Sequence, residues 1–238
     1  MIFETQPQTW QELQDYVGQL FRECGFHVEI SKVLPNVRGK KEIDVFVQDI
    51  TSDYRPKILV ECKFYKGRIS QEKAHAFRTV MQDYGANLGF IVAPNGFQKG
   101  CYEVIENTNI RLVSLDELQA EYFEKWTTGM VNRYMPIADS LFPYWDHAGG
   151  KMHAEGKQLN FATHQLLNRA YNPICSLGPG DQSIWGFRRN YPITLPVLDD
   201  DLNITGQLEI NSHRQYFDFI RDNSDRAILL YRKFFGEG

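Results

Sequence analysis

Two short apolar segments constrain this chain more than any other feature: Glu42-Ile43-Asp44-Val45-Phe46-Val47 and Ile58-Leu59-Val60-Glu61-Cys62-Lys63-Phe64. Each alternates with the period of a β-strand, in which successive side chains point to opposite faces. In the first, Ile43, Val45 and Val47 share one face and Asp44 turns the other way. In the second, Ile58, Val60, Cys62 and Phe64 share a face, while Glu61 and Lys63 take the opposite one. The turn-rich Ser52-Asp53-Tyr54-Arg55-Pro56 between them favours a hairpin. If both apolar faces meet the same core, Asp44, Glu61 and Lys63 project together on the other side. Strands this apolar are normally central, so that second face is expected to be covered at least in part.

Two carboxylates held about 4 Å apart in such a place repel by roughly 4 kcal/mol at an effective dielectric of about 20. A shared proton, a cation or the ammonium of Lys63 has to offset this. A divalent metal does so best, because Mg²⁺ takes oxygen ligands and binds through one or two carboxylates plus substrate phosphates. Metal, carboxylates and a lysine together suit phosphodiester hydrolysis. The same alternation also fits a surface hairpin with one polar face and an incidental salt bridge, and spacing leaves both readings open. Cys62 turns inward in either case and reads as a small core residue.

The flanking segments fit a mixed α/β sheet. Trp10, Leu13, Val17, Leu20, Phe21 and Cys24 recur at helical spacing up to Gly25, which predicts a helix over 8–24. Residues 26–33 alternate as a strand. Ser70 reads as the N-cap of a helix to about Tyr84, with Lys73 in its first turn. Residues 88–93 and 110–113 are short apolar strands around a helix over 97–106, and another helix starts at Leu115. The order α-β-β-β-α-β-α-β predicts a central sheet with helices on both faces. Beyond about residue 125 prolines and glycines, Pro136 and Pro143 among them, interrupt the pattern and aromatics become dense. A second, α+β unit over 125–238 is expected, closed by an amphipathic helix over 214–235. Its buried face is assigned to Tyr216, Phe217, Ile220, Ile228, Leu229 and Tyr231.

Composition sets the outer bounds. The chain has 238 residues, 42% hydrophobic and 24% charged, which is ordinary for a globular protein. No uncharged apolar run is long enough to span a membrane. The N-terminus lacks the features of a signal peptide. Four scattered cysteines argue against a zinc site or a disulfide scaffold, so a cytoplasmic setting is expected. A net charge of −4 gives no global signature of nucleic-acid binding. Two local basic clusters exist, Lys32 with Arg38, Lys40 and Lys41, and Lys63 with Lys66, Arg68 and Lys73; each also fits an ordinary solvated surface. Asp146, His147, His153 and His164 lack metal-ligand spacing. Trp185-Gly186-Phe187-Arg188-Arg189-Asn190-Tyr191 mixes aromatics with arginines, as stacking surfaces and packed loops both do.

Asp44 followed 17 positions on by Glu61-Cys62-Lys63 resembles the (P)D…(D/E)xK signature of restriction-endonuclease-like nucleases. More narrowly, the N-terminal half resembles the Mrr-type restriction endonuclease catalytic domain. The likeness runs in order through Leu20-Phe21-Arg22-Glu23-Cys24-Gly25-Phe26, Ile43-Asp44-Val45 and Val60-Glu61-Cys62-Lys63-Phe64-Tyr65. It continues through Gly89-Phe90-Ile91-Val92-Ala93-Pro94-Asn95-Gly96-Phe97, Gly100 and the strand at Ile110.

The resemblance implies a restriction-endonuclease-like fold over 1–124 and a Mg²⁺-dependent endonuclease, with Mn²⁺ as a substitute. Asp44 and Glu61 would hold the metal with the main-chain carbonyl of Cys62. Lys63 would orient or activate the attacking water and stabilise the charged transition state. The expected substrate is DNA, with RNA or structured junctions as rivals, and the expected setting is prokaryotic restriction or anti-phage defence. A catalytically silent binding or scaffolding module is the rival from another class. Two departures stand out. The glutamate these domains often carry early in the first helix is Gln14 here, which can accept from a metal-bound water but adds no charge; Glu12 could replace it only if the register slips. The glycine- and aspartate-rich approach to the first catalytic strand is replaced by the basic Val37-Arg38-Gly39-Lys40-Lys41-Glu42. Arg38, Lys40, Lys41, Lys66 and Arg68 are therefore the expected phosphate contacts, and Gln71 an auxiliary residue. Residues 125–238 are expected to recognise, regulate or oligomerise, as a homodimer or with a partner protein.

Overall fold

The computed structural model describes residues 1–36, 39–146, 150–153, 159–177 and 190–237. The chain divides into two compact units, Met1–Gly129 and Met130–Gly238. Arg38, His147 and residues 185–189 of the aromatic and arginine run lie outside the described residues.

The first unit is built on a five-stranded mixed sheet in the order β1-β2-β3-β4-β5. Strands β1 (His27–Asn36), β2 (Gly39–Gln48) and β3 (Lys57–Cys62) form an antiparallel meander. β4 (Leu88–Val92) and β5 (Ile110–Val113) then add in parallel through α2 (Gln71–Tyr84) and α3 (Lys99–Ile105). Such parallel pairs need helical crossovers, and these helices cover one face. Leu59, Phe46 and Ile91 pack there beneath Ala74, Phe77 and Met81 of α2 and Cys101 and Val104 of α3. Helix α1 (Trp10–Glu23) lies on the opposite face, where Phe21 meets Phe90 at a ring separation of 6.4 Å.

Local chemistry explains where α1 begins. Thr9 extends as its N-cap and accepts from the main-chain N–H of Glu12, while the Glu12 carboxylate accepts from that of Gln8 at 2.6 Å. This reciprocal capping satisfies donors that a helix start leaves orphaned. It also commits Glu12 to the helix end, so the register slip that would turn it toward the strands does not occur.

Helix α4 (Leu115–Trp145) begins in the first unit and continues past Gly129 into the second. It contains Pro136 and Pro143, where the sequence predicts interruption. Each interior proline costs about 3 kcal/mol. Burial of Trp126, Met130, Val131 and Leu141, at about 1.5–3 kcal/mol per large apolar side chain, outweighs that. Gly129 is required by close approach: a Cβ there would lie 2.1 Å from the carbonyl oxygen of Glu23.

The second unit is α+β. Helices α5 (Phe161–Ala170) and α6 (Asn172–Cys175), the antiparallel pair β6 (Ile193–Leu198) and β7 (Ile204–Ile210), and α7 (His213–Phe235) compose it with the end of α4. Tyr216, Phe217, Ile220 and Tyr231 are buried on α7 as the sequence predicts. Leu229 is not: it is 60% exposed, because the buried stripe follows the helical period through Ile220, Ser224, Ala227, Tyr231 and Phe235. His164 is buried and meets the carbonyl of Tyr144 through Nε2 at 2.6 Å. Among the described residues no helix is long and apolar enough to cross a membrane.

Candidate active site

The ladder between β2 and β3 runs from Gln48↔Lys57 to Val45↔Val60 and stops there. Continued by one step of the antiparallel pattern, Cys62 would exchange main-chain bonds with Ile43. Instead the strands part. The N–H of Cys62 donates to the carboxylate Oδ2 of Asp44 at 2.6 Å, and the carbonyl of Cys62 accepts from the indole Nε1 of Trp10 at 3.1 Å. Asp44 thus fills the mouth of a fork with its side chain. Opposite it on β1, Ser31 has φ +51°, a left-handed conformation uncommon for a residue with a side chain, and one that gathers at functional sites.

Asp44 lies on β2, Glu61 on β3, and Lys63 one residue beyond the end of β3. Lys63 is fixed there by donating its N–H to the carbonyl of Val92 at 2.8 Å. Asp44 alternates in step with Phe46, and Glu61 with Leu59, both in the layer under α2. The carboxylates are almost wholly enclosed, at 9% and 8% exposure. Lys63 Nζ donates to Glu61 Oε1 at 2.6 Å, and Lys41 Nζ approaches the same oxygen at 4.0 Å. Glu61 Oε2 is buried without a hydrogen-bond partner. A cavity of about 470 Å³ opens beside this group, lined by Lys41, Glu61, Lys63, Lys73 and the Ala76, Phe77, Thr79 and Val80 side of α2.

Burial, and then the charge of Glu61, push the Asp44 carboxyl up to about 6, against the opposing pull of the Cys62 N–H and of Lys63 and Lys41. Burial alone would lower the Lys63 ammonium, but the charge and hydrogen bond of Glu61, with Asp44 behind it, hold it above the usual lysine range. Burial, with both carboxylates beside it, pushes the Cys62 thiol well up, so its sulfur stays protonated and is no nucleophile. The site therefore holds more negative charge than its enclosure favours, along with one acceptor oxygen that nothing satisfies. A hard divalent cation fits both facts. Among the described residues no three His, Cys, Asp or Glu side chains gather as a metal-binding group. Two carboxylates and a main-chain oxygen would be the donor set, of the kind oxygen-loving Mg²⁺ accepts.

The other sequence-predicted residues fall in different places. Gln14 is buried beside the fork, but its amide donates to the main-chain carbonyl of Asp44 at 2.8 Å and to Ser31 Oγ at 3.2 Å, not toward the carboxylates. Gln71 is exposed at the start of α2, against Gly100 and 3.4 Å from His75 Nε2, and does not line the cavity. Lys40, Lys66 and Arg68 are exposed. Two residues that sequence reasoning did not single out are at the site, Trp10 and Ser31. Nothing in a serine announces a left-handed residue, and Trp10 fits the apolar stripe of α1 so well that a polar task for its N–H is invisible.

Residues 6–122 match the family model Mrr_cat, described as restriction endonuclease. Among solved structures the chain is similar to a protein of unknown function, AF1548, at 19% identity and a TM-score of 0.38, over 44% of this chain and 56% of that one. It is also similar to the MspJI restriction endonuclease in complex with a 27-mer oligonucleotide, at 16% identity and a TM-score of 0.31, over 49% of this chain and 27% of that one. No curated protein matches. On the family model, the N-terminal half of this chain belongs to the Mrr-type restriction endonuclease catalytic domains.

Proposed function

We propose that the first unit is a divalent-metal-dependent endonuclease that hydrolyses phosphodiester bonds of DNA, with Asp44, Glu61 and Lys63 as its catalytic residues. The observation that carries this reading is the buried, unpartnered Oε2 of Glu61, close enough for its carboxylate to disfavour the charge of Asp44, with a lysine held protonated alongside. Asp44, Glu61 and the carbonyl of Cys62 would hold Mg²⁺ or Mn²⁺. The bound cation would polarise the scissile phosphate and make a water nucleophilic at neutral pH. Lys63 is better placed to stabilise the charge that builds on the phosphoryl oxygens than to take a proton, because Glu61 keeps it an ammonium. Lys41 and Lys73, at the cavity wall, suit the flanking phosphates of the strand.

We also assign the second unit to recognition, regulation or self-association. One such site makes one cut, and two-fold pairing is the commonest way to bring two sites to a duplex. A restriction or anti-phage role in a prokaryotic cytoplasm is consistent with the family and is part of this proposal.

The test is cleavage of plasmid, linear duplex, single strands and RNA by the purified full chain, with Mg²⁺ or EDTA. Metal-dependent scission of duplex DNA, abolished in Glu61→Ala, is the expected result. Cleavage confined to RNA would move the substrate class. Activity that survives Glu61→Ala, or no activity on any substrate, would overturn the site. Light scattering of the full chain with and without duplex tests the pairing: a protein monomeric in both states argues against it.

A further inference from the structure

The carboxylates sit at an open fork, and an open fork leaves main-chain groups without ladder partners. Between β2 and β3 the groups at stake include the N–H and carbonyl of Cys62, and on the other edge of β2 the carbonyl of Asp44 lacks a ladder partner because the pairing with β1 skips the left-handed Ser31. Asp44 satisfies the N–H of Cys62 with its own side chain. Both carbonyls are satisfied from α1: Gln14 Nε2 donates to Asp44 O at 2.8 Å and Trp10 Nε1 to Cys62 O at 3.1 Å. Residues 10 and 14 are one helical turn apart and share a face. One helix therefore places two N–H donors, one on each of the two strands that bear the carboxylates.

Resting on the proposed metal site, we propose that Trp10 and Gln14 are a pair of positioning residues. They form a donor clamp on α1 that holds the parted strands at the separation a cation needs. The chemistry of the contacts sets their identities. A carbonyl oxygen only accepts, so only the amino end of the Gln14 amide can stand against Asp44 O. A glutamate there would set a carboxylate oxygen against a carbonyl oxygen with no hydrogen between them. Gln14 is thus the residue that the clamp demands, not a weakened copy of an acidic ligand. Trp10 serves the other strand because its indole carries a single donor on a large rigid ring anchored at the capped start of α1. The Cys62 carbonyl retains a second lone pair, so the Trp10 bond orients this oxygen without using it up. Partners of this kind orient the ligands of a metal, and their loss typically weakens binding by about 10–100-fold. The left-handed Ser31, whose Oγ meets the same Gln14 amide, lets β1 accommodate the clamp directly opposite Asp44.

The test uses the full-length protein with Trp10→Phe, which keeps a ring and removes the donor, and Gln14→Glu, which keeps the shape and reverses the polarity. Amide hydrogen exchange in EDTA reads the fork without any metal. The Cys62 N–H, held across the fork by Asp44, should exchange at least about tenfold faster in each variant. The Lys63 N–H, held by Val92 in the β3–β4 ladder, should be unchanged and serves as the internal control. Calorimetric titration with Ca²⁺, which asks for no turnover, should then show affinity weakened about tenfold or more. Equal acceleration at Cys62 and Lys63 would mean general loosening and would overturn the clamp, as would unchanged exchange at Cys62. Accelerated exchange with unchanged Ca²⁺ affinity would overturn the positioning role. A wild-type protein that binds neither Ca²⁺ nor Mg²⁺ would overturn the proposed metal site itself, and the exchange result alone would then decide whether the clamp exists.

Discussion

Replacing Asp44 by asparagine should stabilise the metal-free protein while removing its response to metal. Asparagine keeps an oxygen that can accept from the Cys62 N–H, so the fork stays closed at that point, and only the charge is lost. The size of the effect follows from the displaced titration. The Asp44 carboxyl rises from 3.8 to about 6, first through burial and then through Glu61. At about 1.4 kcal/mol per unit this corresponds to roughly 3 kcal/mol of unfavourable charge, an upper figure because local rearrangement relieves part of it. The sign follows from linkage. The folded protein holds this proton to higher pH than the unfolded chain does, so stability falls as pH rises from about 4 to 6, and the penalty is complete above 6. In EDTA at pH 7.5, Asp44→Asn should therefore be about 1–3 kcal/mol more stable in urea denaturation, and the advantage should shrink as the pH approaches 4. Adding Mg²⁺ should stabilise the wild type by mass action and the variant far less, narrowing or reversing the order. A variant that is less stable than wild type in EDTA at pH 7.5, or an advantage that does not fade with acid, would refute the claim that enclosure and Glu61 strain Asp44.

The remaining predictions use other handles on the same unit. Lys63→Met should leave Ca²⁺ binding within a few-fold of wild type yet slow single-turnover cleavage by roughly 10²–10³, the usual cost of losing one electrostatic stabiliser. Apparent Mg²⁺ affinity should drop about tenfold per unit as pH falls below about 6, because the proton competes for Asp44; a calorimetric series at fixed ionic strength measures it. Gly129→Ala should destabilise the first unit by about 1–3 kcal/mol in denaturant melts, since its Cβ would lie 2.1 Å from the Glu23 oxygen.

Much of the N-terminal fold is legible in the sequence because each element there carries its own local signal. Terminal Gly25 and the apolar spacing from Trp10 to Cys24 mark α1, and the turn-rich Ser52–Pro56 favours β2 and β3 as neighbours. The second unit resists for a physical reason. Pro136 and Pro143 are strong local signals for interruption, but the helix they interrupt is held by tertiary burial of residues on either side of them, which no local window contains. On α7 the error is smaller and of the opposite kind. Hydrophobicity assigns Leu229 inward, whereas the small Ser224 and Ala227 keep the helical period and lie in the buried stripe.

At the site itself, alternation carries only one bit per residue: which face. That bit brings Asp44, Glu61 and Lys63 to attention, and cannot go further, because the fork is defined by hydrogen bonds that are not made. Once β2 and β3 part at Val45 and Val60 the Cys62 carbonyl needs a partner, and where the β1 pairing skips Ser31 so does the Asp44 carbonyl; an enclosed carbonyl left without one is costly. The partners come from Trp10 and Gln14, 52 and 30 residues away in sequence. One of them reads as an ordinary core aromatic and the other as an acidic ligand gone missing. Beside these satisfied carbonyls, Glu61 Oε2 is buried with nothing to donate to it. A cation would supply the one partner that the chain itself does not.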